Sequence, residues 1–530
     1  MVELSLKNVI YKNRLLLDFL DGNQNLKSFH NGSSFETIDK DFYSKRDLSI
    51  DKRSILVDVL SAQYHEINQP IPANVNLLKN KGVYTITTGH QLCFMGGPQF
   101  FIHKIISTIN ISRKLKKIHP DVHFVPVFWM ASEDHDFEEI SKISIFGQNF
   151  NINGVEDTIA VGRLKSELFK PLFEEVKSFF QNDVKFKVFE EIFSKALTFD
   201  NWSQSTRYWV HQLFQDYGLV IIDADDKKLK EQFQSTVELE ISKRFVHSNV
   251  VESNKKLSSL GYKPNIKPRE INLFYHENNR RERVKCNGES YQIGKNEFNS
   301  DELVVKSKSN VEFFSPNVLL RPLFQETILP NLAYVGGPSE LTYWLQLKEA
   351  FDNVNLNYPK LILRDHFAFL SAKQFEKWIH HGLKAEQLLH DFNDLTAAIL
   401  MEENKDSLDF SEFHKQIDLL QKDLIKLVIE EDKSLEATVG SSINNMKKSL
   451  DILQSKLKKS IKRKNEQKLN QIQNIQRKII TNRVLNERKE SFIGVYINEP
   501  QSYLDLLIEN SNPGNPILNL IIWSYDRNIN

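Results

Sequence analysis

The stretch Gly82-Val-Tyr-Thr-Ile-Thr-Thr-Gly-His-Gln-Leu-Cys-Phe-Met-Gly-Gly-Pro98 decides the fold. Its first half is short, apolar and β-branched, with glycine at both ends, which predicts a buried strand over 82–88. Gly89, Gly96 and Gly97 make the rest a loop, and Pro98 suits the first turn of a helix. Ile102, Ile105, Ile106 and Ile109 then recur at helical spacing, and His119-Pro120 should stop that helix. Phe124-Val-Pro-Val-Phe-Trp-Met130 reads as a second buried strand. Strand, glycine loop, helix and strand within about 50 residues make a βαβ unit, whose usual solution is a parallel sheet with a right-handed crossover. The fold class is therefore α/β.

Upstream, residues 55–67 carry a helical pattern that Gln69-Pro-Ile-Pro72 breaks. Downstream, from about 150 to 300, the chain becomes rich in Phe and Lys, with shorter periodic stretches. There the pattern predicts a helix over 200–216 and a strand at Leu219-Val-Ile-Ile-Asp223. The polar stretch 263–300, rich in Arg, Asn and Gly, reads as hairpins or loops of an inserted subdomain. The glycine corner then recurs. Leu332-Ala-Tyr-Val335 is a strand, Gly336-Gly337-Pro338 the turn, 339–351 a helix, and Lys360-Leu-Ile-Leu-Arg364 the next strand. Gly-Gly-Pro opens a helix twice, which predicts two similar corners in one sheet.

The last third contains no Gly or Pro from 441 to 492. Val439, Ile443, Met446, Leu450, Leu453 and Leu457 alternate spacings of four and three, the heptad pattern. Leu469, Ile472, Ile475 and Ile479 continue the stripe, so one helix of about 50 residues would run roughly 75 Å. An upstream helix near 410–435 carries Phe413, Ile417, Leu420, Leu424 and Leu427. Residues 402–436 hold 11 acidic and 5 basic side chains, and 447–489 hold 14 basic and 3 acidic ones. Such opposite charge favours an antiparallel coiled-coil hairpin over a bundle without supercoil. The domains expected are a core in two parts, 1–150 and 301–385, an insertion at 151–300, a coiled coil at 386–492, and a segment at 493–530 returning to the core.

Across all 530 residues, Lys+Arg and Asp+Glu are both 69, which argues against a globally basic nucleic-acid binder. The two cysteines, Cys93 and Cys286, cannot make a disulfide framework or a four-thiolate zinc site. The start lacks the pattern of a signal peptide, and no apolar run reaches the ~18 residues of a membrane span. A cytoplasmic protein without membrane or nucleic-acid partners is expected.

Three constellations carry chemistry. In the first, His90 and Gln91 lie at a strand's carboxyl end, where open α/β sheets bind ligands, and the next helix's N–H groups attract anions. His103 and Lys104, in that helix's first turns, are placed to help hold a phosphate or carboxylate, with Lys104 expected to be exposed. The loop matches neither the P-loop nor the dinucleotide fingerprint, and its glycines could serve a tight turn alone. Cys93 is a nucleophile by position or a small apolar loop residue. In the second, Glu133-Asp-His-Asp136 follows the next strand. It could bind a divalent metal, act as a general base or hold an amine, and Ser132 or Asp134 could equally cap a helix. No metal signature is present. In the third, Arg321 sits among apolar residues and needs an anionic partner, either an internal carboxylate or a ligand, with Gln325, Tyr334, Gly336 and Gly337 nearby in sequence.

At these constellations the chain resembles the BshC family, the cysteine-adding enzymes of bacillithiol biosynthesis. The matching blocks are Thr88-Gly-His-Gln with Gly97-Pro98 and His103-Lys104, then Val125-Pro-Val-Phe-Trp129 with Glu133-Asp-His-Asp-Phe137. The third is Leu320-Arg-Pro-Leu323 with Gln325 and Ala333-Tyr-Val-Gly-Gly-Pro-Ser-Glu340. The resemblance implies a Rossmann-like core with connecting subdomains and a coiled coil used for homodimerisation. It implies a ligase joining the cysteine carboxyl to the amine of glucosaminyl malate, with ATP or another adenine nucleotide consumed. Asp134, His135 and Asp136 would form the catalytic group, an aspartate holding the cysteine ammonium or taking the amine's proton. Gly89, His90, Gln91, Gly96, Gly97, His103, Lys104, Trp129 and Glu133 would bind substrate or nucleotide, together with Arg321, Gln325, Tyr334, Gly336 and Gly337. Arg321 would pair with a malate carboxylate. The alternatives are an inactive core serving as a coiled-coil scaffold, and a nucleic-acid-acting synthetase relative using its basic helix. Opposite charge on the neighbouring helix argues against the last.

Overall fold

A computed structural model of the chain describes residues 1–152, 159–181, 183–277, 280–498 and 500–523. The end of the expected C-terminal segment, 524–530, lies outside the described residues. The first strand of the parallel sheet is β1, Val83–His90, buried at every position, as a central strand covered on both faces requires. It includes Gly89 and His90, which the sequence assigns to the loop. Then follow α1 (Phe100–Ile118), β2 (His123–Met130), α2 (Trp202–Phe214), β3 (Val220–Asp223) and α3 (Lys227–Glu231). The polar stretch forms antiparallel strands, among them β4 (Leu273–Glu277) and β5 (Arg280–Arg283), and β6 (Phe314–Pro316) pairs with β4. The core closes with α4 (Arg321–Ile328), β7 (Asn331–Gly336), α5 (Pro338–Trp344) and β8 (Lys360–Leu363).

The five long-range strands form one parallel sheet in the order β8-β7-β1-β2-β3. Counted along the chain, that is the 3-2-1-4-5 order of doubly wound nucleotide-binding sheets. The order reverses between β1 and β7, so the crevice beyond their carboxyl ends is the switch point where such folds bind ligands. On one face of the sheet, Ile111 and Leu115 of α1 pack against Tyr84, Ile86, Phe124, Val335 and Ile362.

Both Gly-Gly-Pro corners lead from the sheet into helices, but their backbones differ. In the first, Met95, Gly96 and Gly97 all have positive φ, and a Cβ on Gly97 would lie 2.8 Å from Cys93 Cβ. In the second, Gly337 is extended at φ −78° and caps α5 directly. The helix expected over 339–351 is two short ones, α5 and Lys348–Asn353.

The chain divides into two units. The first comprises Met1, 3–368 and 487–520, so it takes in the parallel sheet and the stretch read as an insertion, while the second is built mainly on 369–486. In the second, α6 (Ser411–Glu431) and α7 (Glu436–Lys464) form a hairpin. Asp418 meets Lys447 at 2.6 Å, His414 meets Asp451 at 3.4 Å, and Gln454 Nε2 donates to Leu408 O at 2.9 Å. Numbers fall on one helix as they rise on the other, so the pair is antiparallel, with acid facing base. The single 50-residue helix is corrected. α7 has 29 residues and ends at Lys464, and α8 (Glu466–Gln476) and a small hairpin at 480–485 follow. Ile417 and Leu424 are half-buried, but Phe413, Leu420, Leu427, Met446 and Leu453 remain exposed at seven-residue spacings.

Candidate active site

A cavity of about 580 Å³ opens at the switch point. Gly89, His90 and Gln91 line it from the end of β1, and Lys104 reaches it from α1. Trp129 lies in β2, and Glu133, Asp134 and His135 follow that strand. Arg321 opens α4, and Tyr334 and Gly337 belong to β7 and its turn. The remaining expected residues lie elsewhere. Gly96 packs against Phe492, Phe101 and Trp209, and Gly97 packs against Cys93. Gly336 packs against Leu341 and Tyr334. Asp136 is exposed and caps the short helix Phe137–Ile140 through Glu139 N, the capping role assigned in advance to Ser132 or Asp134.

Helix phase separates His103 from Lys104, since neighbours on a helix point about 100° apart. His103 is fully buried and bonds Glu487 at 2.9 Å through Nδ1, so it does not reach the cavity. Glu487 also receives both terminal nitrogens of Arg364 and contacts His366 at 2.7 Å. Lys104 is buried rather than exposed. Its ammonium meets Glu340 at 2.6 Å and donates to Gly89 O at 2.8 Å. Burial lowers the Lys104 pKa, and Glu340 opposes that effect. The Lys104 charge is thus largely spent inside the protein, which corrects its expected role as a free anion ligand.

Arg321 is the contrasting cation. Its Nη1 donates to Gln325 Oε1 at 2.9 Å, and its Nη2 is buried without a hydrogen-bond partner. The guanidinium lies 5.6 Å from the ring centres of both Trp129 and Tyr334. Among the described residues no carboxylate pairs with it. Gln325 lies outside the cavity wall and acts behind Arg321, donating in turn to Glu326 Oε1 at 2.7 Å. A half-buried guanidinium with one terminal nitrogen left unbonded suits a ligand carboxylate or phosphate.

The acidic loop splits by environment. Asp134 accepts from Gln91 Nε2 and from His135 N at 2.8 Å, and Arg281 Nη1 stands 3.5 Å away. Burial would raise its pKa, but His135, Arg281 and Gln91 outweigh burial and hold it at about 2. Glu133 instead faces Lys230 at 2.7 Å. Burial, against the pull of Lys230, pushes its pKa up to about 7. Among the described residues no group of three or more His, Cys, Asp or Glu side chains is placed to hold a metal. Cys93 is buried and its thiol is pushed well above its ordinary pKa by burial, so it is an apolar loop residue rather than a nucleophile.

Sequence reasoning missed Arg281, Arg364, Arg488 and the Lys267–Arg269–Arg283 group, all in the cavity wall. They come from β4–β5 and its approach, the end of β8, and a point more than a hundred residues further on. No local pattern marks them, although Arg281 could be suspected because alternation along β5 makes it the buried arginine of Arg280–Arg283. Eight Lys or Arg side chains and four carboxylates line the cavity, an excess that fits a ligand with several negative charges. No helix among the described residues is long and apolar enough to cross a membrane.

The profile described as "Bacillithiol biosynthesis BshC, N-terminal Rossmann-like domain" matches residues 2–365, and "Bacillithiol biosynthesis BshC, C-terminal coiled-coil domain" matches 367–521. The protein named "Putative cysteine ligase BshC" in Flavobacterium psychrophilum is 35% identical over 95% of this chain and 96% of its own length. The protein of the same name in Christiangramia forsetii is 34% identical over 95% of each chain. The Bacillus cereus protein of that name is 25% identical over 87% of this chain and 89% of its own. With the parallel sheet, the helical hairpin and both halves of the profile accounted for along nearly its whole length, the chain belongs to the BshC family of bacillithiol biosynthesis.

Proposed function

We propose that this protein is a cytoplasmic ligase that joins the carboxyl of cysteine to the amine of glucosaminyl malate, the last step in forming bacillithiol. The observation that carries this reading is the switch-point cavity, where the Arg321 guanidinium, without a carboxylate partner among the described residues, faces the same space as the ionised Asp134. One substrate is a dicarboxylate bearing an amine, and the other an amino acid with an ammonium. Cations in excess with two distinct carboxylates suit that pair. Arg321 would take a malate carboxylate, and Asp134, fixed by Gln91, His135 and Arg281, would take the cysteine ammonium. Its capping role and exposure leave Asp136 out of this assignment.

A free carboxylate does not acylate an amine at neutral pH without a leaving group, and ATP or another adenine nucleotide would supply one. The wall arginines Arg269, Arg283 and Arg488 remain to hold its phosphates, and the low-polarity wall of Phe100 and Trp129 limits water around the reacting carboxyl. Homodimerisation through the hairpin follows from the exposed heptad row Phe413, Leu420 and Leu427 with Met446 and Leu453, a seam that a second copy would cover. The test is to incubate the protein with glucosaminyl malate, cysteine and ATP and to weigh the products. A thiol of the combined mass less one water is expected. Recovery of both substrates unchanged, with their binding demonstrated by calorimetry, overturns the reading.

A further inference from the structure

We propose that Glu133 takes the proton released when the amine attacks the cysteine carboxyl carbon, and that Lys230, Asp225 and Arg163 position it; this rests on the ligase reading above. Glu133 lies beyond the carboxyl end of β2, in the cavity wall beside Asp134, with its side chain 12% exposed. Its carboxylate meets the buried Lys230 ammonium at 2.7 Å. Lys230 also donates to Asp225 Oδ1 at 2.7 Å and Glu312 O at 2.9 Å, so Glu133 shares this ammonium with a second acid. Asp225 is served a second time, by Arg163 Nε at 2.7 Å and Nη2 at 2.9 Å. Of the two acids sharing Lys230, Asp225 thus has two direct cationic partners and Glu133 one, which leaves Glu133 the easier of the two to protonate.

The row Arg163, Asp225, Lys230, Glu133 alternates in charge and ends at the cavity. Arg281 of β5 also lies near Glu133, Asp134 follows it in the same loop, and the buried His276 of β4 stands beside Arg163, Asp225, Lys230 and Arg281. Asp134 is held ionised and binds protons too weakly to serve as base. Neighbouring acids pushed in opposite directions divide the work in this way, one staying an anion while the other exchanges protons near neutrality. In the step itself the amine nitrogen forms a bond to the carboxyl carbon. The carbon–oxygen bond to a phosphate-type leaving group, donated by a nucleoside triphosphate, breaks, and its electron pair departs with that group. The nitrogen's proton passes to a Glu133 oxygen.

The experiment follows kcat/KM against pH for amide formation in wild type, E133Q, E133D, K230M and D134N. Wild type should lose activity on an acidic limb near neutral pH. E133Q should lower turnover by on the order of 10²–10⁴ and abolish that limb, with E133D recovering part. K230M removes the charge that favours ionised Glu133 and should move the limb upward by about one unit or more. D134N should raise KM for cysteine and leave the limb in place. Infrared difference spectra of the substrate-free protein should show, besides Glu326, which titrates in both proteins, a carboxylic acid titrating near neutrality in wild type that E133Q lacks. This readout, with melting curves, separates a lost base from a misfolded variant. E133Q within tenfold of wild type with the same limb, or no such titration in wild type, overturns the role of Glu133 alone. Absence of amide from wild type overturns the ligase reading and this role with it.

Discussion

Lys104 Nζ lies 2.6 Å from Glu340 Oε2, and this pair joins α1 to α5, the helices that follow the two Gly-Gly-Pro corners. Glu340 also accepts from Gly337 N at 2.8 Å and Tyr334 Oη at 2.7 Å, while Lys104 donates to Gly89 O at 2.8 Å. The ends of β1 and β7 are thereby tied across the switch point, and the floor of the cavity is set by a pair whose charges cancel.

Removing one partner of such a buried pair strands the other charge, at a cost of about 3–5 kcal/mol. Lys104→Met is therefore expected to lower the thermal midpoint, and the double change Lys104→Met with Glu340→Gln to recover part of the loss. Calorimetric melting checks both. An unchanged midpoint in the single variant would show that the pair does not hold the corners together.

Arg321 has no carboxylate partner among the described residues, so its loss should spare the fold and weaken anion binding. A charge-assisted hydrogen bond contributes about 1.5–3 kcal/mol, roughly 10–100-fold in affinity. Titration calorimetry of Arg321→Ala with malate or glucosaminyl malate should show that drop, with melting close to wild type. Equal affinity in the two proteins would remove Arg321 from the ligand site.

Glu326 is buried behind Arg321 and accepts from Gln325 and Asn331, each at 2.7 Å. Burial raises its carboxyl pKa to about 8, so the folded state binds this proton more tightly than the unfolded chain does. Its stabilising contribution is complete below about pH 4.5 and is lost as pH rises through about 8. Relative to Glu326→Gln, wild type should lose up to about 1.4 kcal/mol per pH unit across that window. Denaturant unfolding at several pH values measures the difference, and parallel curves for the two proteins would contradict it.

The exposed row on the hairpin predicts a dimer. Leu420→Glu with Leu453→Glu should give monomers by light scattering at micromolar concentration, with the circular dichroism of a folded core. Leu450 is half-buried, so Leu450→Glu should disturb the hairpin itself as well. A monomeric wild type, or a dimeric double variant, would place the interface elsewhere.

The sequence alone determined the elements whose cause is local. A β-branched run bounded by glycine gave β1, an apolar run gave β2, isoleucines at helical spacing gave α1, and complementary charge paired α6 with α7. It also pointed to loops that line the switch-point cavity, because they follow strand ends in the chain itself. The register of α1 was beyond that reading. Which of His103 and Lys104 faces the cavity depends on helix phase against a packed sheet, and both proved to be held by partners far along the chain, Glu487 and Glu340. The same holds for Arg281, which reaches His135 and Asp134 across 146 and 147 residues, and for Lys230, which sets Glu133 apart from Asp134. The chain spells out which acids stand at the end of β2. Burial and the charges brought beside them by folding decide which one stays ionised and which one can take a proton, because pKa depends on the surroundings of a group and not on its neighbours in sequence.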